Sequence, residues 1–185
     1  MKGLRIIYIL IPLIIIVLLV VIDLGITRDK FGNIQSIDLG SEHINGVSLM
    51  EKPDLNLIKK AFGKSKQVTL KDTNTKGYSF NSEKCVGVIA LDKNDKVISI
   101  ALSTLKNTLN TGKGIISNKS SFNDIIKAYG PNYLKTVTKD TENGNREVGY
   151  SVTYTDKQNN FKLEFDILKL QSKEEIQYIR LWKYK

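Results

Sequence analysis

Hydrolysis through a nucleophile needs Ser or Cys held beside His or Lys, and this chain offers few such combinations. It has one histidine, His43, and one cysteine, Cys85. Cys85 opens the apolar run CVGVIAL, where a thiol is shielded and inert, and a single cysteine forms no internal disulfide. His43 has no Cys or His at ligand spacing and reads as an exposed loop residue. Ser117-Asn118-Lys119 brings Ser and Lys together, but just ahead of a helix, where it reads as loop. A glycosidase needs two carboxyls flanking a sugar bond. Glu164 and Asp166 share one strand face and Glu174-Glu175 sit in a turn, spacings that solvated surfaces commonly carry. Thr111-Gly112-Lys113-Gly114 lacks the full phosphate-loop pattern and its strand–loop–helix order. Asp92, Asn94 and Asp95 begin like a calcium loop, but the required Gly and Glu do not follow, and a hairpin turn fits better. No zinc or iron–sulfur spacing exists. The expectation is no catalytic residue, no metal and no cofactor.

The chemistry that remains is recognition. In the last apolar stretch, Ile179 and Leu181 alternate with Tyr178, Arg180, Trp182 and Tyr184. Aromatic residues and Arg are enriched in binding hot spots, so these four are the candidate protein-binding residues. The plainer alternative is that one aromatic fills a core edge and the others are ordinary sheet surface.

The elements that must position them are organised around a phrase that occurs twice, LNLIKKAFG at Leu55–Gly63 and FNDIIKAYG at Phe122–Gly130. Each reads as a short amphipathic helix, Leu55–Phe62 and Phe122–Tyr129, closed by Gly in the left-handed conformation. Leu55, Ile58 and Phe62 are expected on one buried face. Pro53-Asp54 opens the first helix, and Ser120 or Ser121 caps the second. Strands are expected at Gln67–Leu70, Gly77–Phe80, Cys85–Leu91 and Lys96–Leu102, then at Tyr133–Thr138, Arg146–Thr155, Phe161–Ile167 and Ile176–Tyr184. A short strand is expected at Ile34–Leu39, and Asn143-Gly144 signals a hairpin turn. The helix copies lie 67 residues apart and the final strands 79, which reads as a duplication.

Ile6 to Ile22 runs 17 residues without a charge, about 25 Å as a helix. Lys2 and Arg5 precede it, which favours a cytoplasmic amino terminus. No small-x-small site follows, so an uncleaved signal anchor is expected rather than a cleaved signal peptide. The remainder would then be extracytoplasmic. The net charge is +9, yet only four of the 28 basic residues are Arg. Nucleic-acid readers lean on Arg, so no nucleic-acid partner is expected. Lysine richness fits either drift in an AT-rich genome or attraction to anionic wall polymer or lipid headgroups.

A helix ending KA(F/Y)G ahead of a meander, with the apolar spacing of Ile176, Ile179 and Leu181 in the last strand, resembles the β-lactamase-inhibitory-protein-like fold. It is similar too to small envelope lipoproteins of the SmpA/OmlA type and to membrane-anchored domains of Gram-positive bacteria. The lipobox Cys of the lipoproteins is missing. The resemblance covers about residues 44–184 and implies helices on one face of a curved sheet, with the other face free to bind a protein. The expected fold is therefore α+β, two helix-plus-antiparallel-meander repeats behind one transmembrane helix. The expected divisions are 1–26 anchor, 27–43 linker, 44–110 first repeat and 111–185 second repeat. The expected function is non-catalytic, a membrane-anchored binding or scaffold domain of the bacterial cell envelope with an envelope or secreted protein as partner. An envelope hydrolase, or a basic protein holding wall polymer or lipid, is the alternative.

Overall fold

The computed structural model describes residues 34–70, 75–104, 106, 108–140, 146–170 and 173–184. Contacts divide the chain into two units, Met1–Ile34 and Gln35–Lys185, and all the elements described lie in the second. Strands β1 (His43–Ile44) and β2 (Val47–Ser48) form a small hairpin. Helix α1 (Leu55–Phe62) follows, then β3 (Ser65–Leu70), β4 (Thr75–Asn81), β5 (Val86–Leu91) and β6 (Val97–Ser103). Helix α2 (Phe122–Tyr129) precedes β7 (Leu134–Asp140), β8 (Arg146–Asp156), β9 (Phe161–Leu170) and β10 (Lys173–Lys183). The eight long strands make one antiparallel sheet in the order β3-β4-β5-β6-β10-β9-β8-β7.

Both helices are fixed by their ends. Asp54 Oδ1 accepts from the Asn56 and Leu57 amides at 2.8 and 3.2 Å, and Gly63 closes α1 at φ 89°. Ser121 and Asp124 form a reciprocal capping box on α2, and Gly130 closes it at φ 87°. Such caps satisfy amides that a helix leaves without partners. Ile58 and Phe62 of α1 and Ile125 and Tyr129 of α2 are buried. They pack on one face of the sheet, with Phe62 5.4 Å from Phe80 and Tyr129 5.6 Å from Phe165, centroid to centroid. Leu55, expected with them, is 56% exposed at the open start of α1.

The expected α+β architecture of two helix-plus-meander repeats is corrected. The chain is mostly β, with 52% of the described residues in strands and 12% in helix. The physical reason lies in β6 and β10. Their alternation pairs Ile100 with Leu181 and Leu102 with Ile179 across the middle of the sheet. Apolar residues of β4, β5, β6, β8, β9 and β10 and of both helices then join a single core, with β3 and β7 at the sheet edges, and a tandem repeat is not the organising unit. The nine-residue match reflects two short helices with the same amphipathic and Gly-stop chemistry.

The single-pass anchor and the localisation drawn from it are also corrected. Among the described residues no helix is long and apolar enough to cross a membrane. The two helices have eight residues each, about 12 Å, against a hydrocarbon core of about 30 Å. The apolar run Ile6–Ile22 and the turn at Asn143-Gly144 lie outside the described residues.

Residues 35–43, expected as linker, pack into the second unit. No strand forms at 34–39. Instead the Ile37 amide donates to Thr155 O at 3.0 Å and the Leu39 amide to Asp156 Oδ2 at 2.9 Å, with Leu39 buried.

Candidate functional site

Strand alternation sends Leu163, Phe165 and Ile167 of β9 into the core and Lys162, Glu164 and Asp166 to the opposite face. On β10 a simple alternation from buried Ile176 would send Tyr178 inward. A bulge at Gln177 breaks the register between Ile176 and Tyr178. The inserted residue shifts the phase of the strand, so Ile179 and Leu181 are buried while Tyr178, Arg180 and Trp182 face out. The three-residue gap between Ile176 and Ile179 is the sequence trace of that bulge.

Register then assembles a patch no single strand could make. Trp182, Arg180 and Tyr178 lie opposite Lys162, Glu164 and Asp166 on β9. Those three lie opposite Thr155, Thr153 and Ser151 on β8. On the other flank, β6 places Ser99, Ala101 and Ser103 beside Trp182, Arg180 and Tyr178. At about 4.8 Å between strands and 3.3 Å per residue, the lattice covers about 14 by 13 Å.

The predicted residues Tyr178, Arg180 and Trp182 thus share one face. The Arg180 guanidinium carbon sits 4.4 Å from the centre of the Trp182 ring. Tyr184 lies just beyond β10. Its amide donates to Asn160 O at 2.9 Å and its hydroxyl to Asp156 O at 3.4 Å. Lys162 Nζ is 4.8 Å from the Tyr184 ring and 6.0 Å from the Trp182 ring, joining the two. The sequence signalled the β10 residues and, separately, the Glu164 and Asp166 pair. It gave no sign that they are neighbours, because cross-strand register is not encoded locally.

Although this face is turned away from the core, its polar groups are substantially desolvated. Arg180 Nε and Thr155 Oγ1 are both shielded from solvent without a hydrogen-bond partner. Arg180 forms no ion pair with Glu164 or Asp166, whereas Glu164 accepts from the Thr153 hydroxyl at 3.0 Å. Burial pushes the Asp166 carboxyl up to about 6, Glu164 adds to the rise, and Arg180 opposes it. Burial lowers the Lys162 ammonium and raises the Tyr178 hydroxyl from their ordinary values. Each shift states that this surface resists charge, as a surface ready to be covered does.

A stability prediction arises here. The folded Asp166 titrates near 6 against 3.8 for the free group. The stability linked to its proton is therefore complete below the unfolded value and is lost as pH rises through about 6. Solvent screening of this partly exposed group reduces the loss to about 1 kcal/mol. Asp166→Asn is expected to match the unmodified chain near pH 4 and exceed it by that amount at pH 8, measured by urea unfolding. Equal stability at both values would show that Asp166 ionises without penalty.

The other sequence candidates lie apart. Cys85 is buried, donates to Phe62 O at 3.7 Å, and is pushed up to about 11 by burial, so its thiolate is scarce at neutral pH. It borders a cleft of about 480 Å³ with Ser82, Thr104 and Lys106. His43, expected as an exposed loop residue, is instead a part-buried residue of β1 whose Nδ1 accepts from the Gly46 amide at 3.1 Å across the β1–β2 turn. Asp92 Oδ1 accepts from the Asn94 and Lys96 amides at 2.8 and 2.9 Å, the bonding of a hairpin turn. Ser117 is fully buried and bonds within the loop, to the Leu109 amide and Lys106 O.

Comparison with known protein families, curated proteins and solved structures finds no match. The face is therefore interpreted from its own chemistry.

Proposed function

We propose that residues 35–185 form a non-catalytic binding module that docks a partner protein on the open face of β6, β10, β9 and β8. The observation that carries this reading is the pair of shielded, unpartnered groups, Arg180 Nε and Thr155 Oγ1, on a face that also carries aromatic rings, small residues and the charged Lys162, Glu164 and Asp166. A buried donor without a partner costs about 1–3 kcal/mol, and a shift of the Arg180 side chain toward a carboxylate or main-chain carbonyl of a docking protein recovers it. Trp182 and Tyr178 supply rigid contact area beside that point. The partner expected is a protein surface with an acidic or carbonyl acceptor set among apolar side chains.

One observation favours a second reading, hydrolysis. Asp166, held near 6, adjoins Glu164 on the same face, and carboxyls in unequal environments serve as acid and base. The binding reading is preferred because the two carboxyls project from a sheet surface, and the clefts at Cys85 and at α2 are lined by other residues.

The test is site-specific photo-crosslinking in the native cell from position 178 or 182, with position 59 on α1 as control. The expected result is a discrete protein adduct from the strand positions alone. Arg180→Ala should reduce that adduct at least about tenfold, the size of a hot-spot loss. Equal labelling from position 59, or an adduct indifferent to Arg180→Ala, would remove the sheet face as the docking surface.

A further inference from the structure

Three lysines on the other side of the molecule have no role in that reading. Lys113, Lys119 and Lys127 line a cleft of about 520 Å³ between the loop after Thr111 and helix α2. They come from three places: a turn closed by Gly114 at φ 81°, the segment leading into α2, and the last turn of the helix itself. All three side chains are exposed. Among the described residues none of the three ammonium groups has an ion-pair partner.

The nearby acids are already committed. Asp124, the acid in the cleft wall, accepts from the Ser121 amide and hydroxyl, both at 2.8 Å. Glu42 lies behind Tyr129, accepting from its hydroxyl at 2.7 Å and from the Gly112 amide. Lys113 Nζ rests 4.9 Å from the Tyr129 ring, which holds it at the cleft without neutralising it. Three lysines thus outnumber the one acid of the cleft wall, Asp124, whose charge Lys127 also faces, around an open volume, an arrangement that an anion in the cleft would stabilise.

The geometry points to a site for a phosphate-bearing ligand of more than one negative charge, held by Lys113, Lys119 and Lys127. Ammonium groups act as compact point charges with rotatable donors, whereas a planar carboxylate is matched best by the arginine fork. Cations approaching from three separate elements suit the several oxygens of linked phosphates. The volume accommodates more than one phosphate group.

The test is calorimetric titration of the full chain with inorganic tripolyphosphate. Lys119→Gln/Lys127→Gln is compared with Lys59→Gln/Lys60→Gln, which removes the same charge from α1. The cleft pair is expected to weaken binding at least about tenfold and the α1 pair less than about threefold, since distant exposed charges are screened. Citrate, a tricarboxylate with about one negative charge fewer near neutral pH, is expected to bind at least about tenfold more weakly than tripolyphosphate. Three results would overturn the proposal: no heat from the unmodified chain, equal losses in the two double variants, or equal binding of citrate. Far-ultraviolet circular dichroism of both variants checks that the fold is intact.

Discussion

Phe165→Ala is expected to lower the free energy of unfolding by about 3–5 kcal/mol, the usual loss for a buried aromatic. Phe165 is fully buried in β9. It stands between Val152 on β8 and Ile179 on β10, with Tyr129 of α2 above it at 5.6 Å. Truncation removes the ring and leaves a void walled by hydrogen-bonded strands, which cannot close in as a loop would. The same residue sits between Glu164 and Asp166, so the void lies directly beneath the candidate docking face. The variant is expected to lose partner crosslinking from positions 178 and 182 as well as stability. Phe165→Leu, which fills most of the space, should cost only about 1–1.5 kcal/mol. Urea unfolding of both variants decides the matter. A loss below about 1.5 kcal/mol for Phe165→Ala would mean that α2 settles into the void and that the sheet is less rigid than its register implies.

What could be read from the sequence was what neighbouring residues determine. The helix limits Leu55–Phe62 and Phe122–Tyr129 followed from apolar spacing and from Gly63 and Gly130, and both glycines take positive φ in the structure. Alternation marked Arg146–Thr155 and Phe161–Ile167, and β8 and β9 contain both stretches. Cys85 was legible as an inert buried thiol from its apolar neighbours. Partnership between distant residues was not legible. Pairing of β6 with β10 joins strands whose sequence positions differ by 79 residues, and nothing local reports it. That pairing turns two expected units into one sheet with one core. The stretch 27–43 read as a linker because its charges alternate in sign and it shows little periodicity; within it, Leu39 and Glu42 are held by bonds to Asp156 and Tyr129, more than eighty positions away.

The candidate site shows the same division. Tyr178, Arg180 and Trp182 could be assigned to one face because they alternate with Ile179 and Leu181, and the structure adds the bulge at Gln177 that brings Ile176 into the same core. That Arg180 would stand opposite Glu164 without forming an ion pair, and that its Nε would be shielded, depends on packing across three strands. Tertiary environment, rather than residue type, separates a docking surface from an ordinary solvated sheet face.

Glu42→Ala is expected to cost about 2–4 kcal/mol, because it removes a buried charged acceptor shared by one buried and two part-buried donors. Glu42 is 4% exposed. Its carboxylate accepts from the Tyr129 hydroxyl at 2.7 Å, the His43 amide at 3.0 Å and the Gly112 amide. Three parts of the chain meet there: the segment before β1, the loop that carries Lys113, and α2. Burial, with Glu42 adding to it, pushes the Tyr129 hydroxyl far above its usual range, so it remains a donor at any physiological pH. Thr111 Oγ1, 2.8 Å from the same hydroxyl, gives Tyr129 a second contact. Tyr129→Phe should therefore cost less than Glu42→Ala, about 1–2 kcal/mol. In the double variant the two losses should fall short of additivity by about 1 kcal/mol, since each change removes the same bond. Tripolyphosphate binding in the cleft should weaken in Glu42→Ala although a negative charge has been deleted, because the loop holding Lys113 loses its anchor. Additive losses in urea unfolding would show that Glu42 and Tyr129 act independently. Tighter tripolyphosphate binding would show that Glu42 acts on the cleft through its charge and not through the position of the loop.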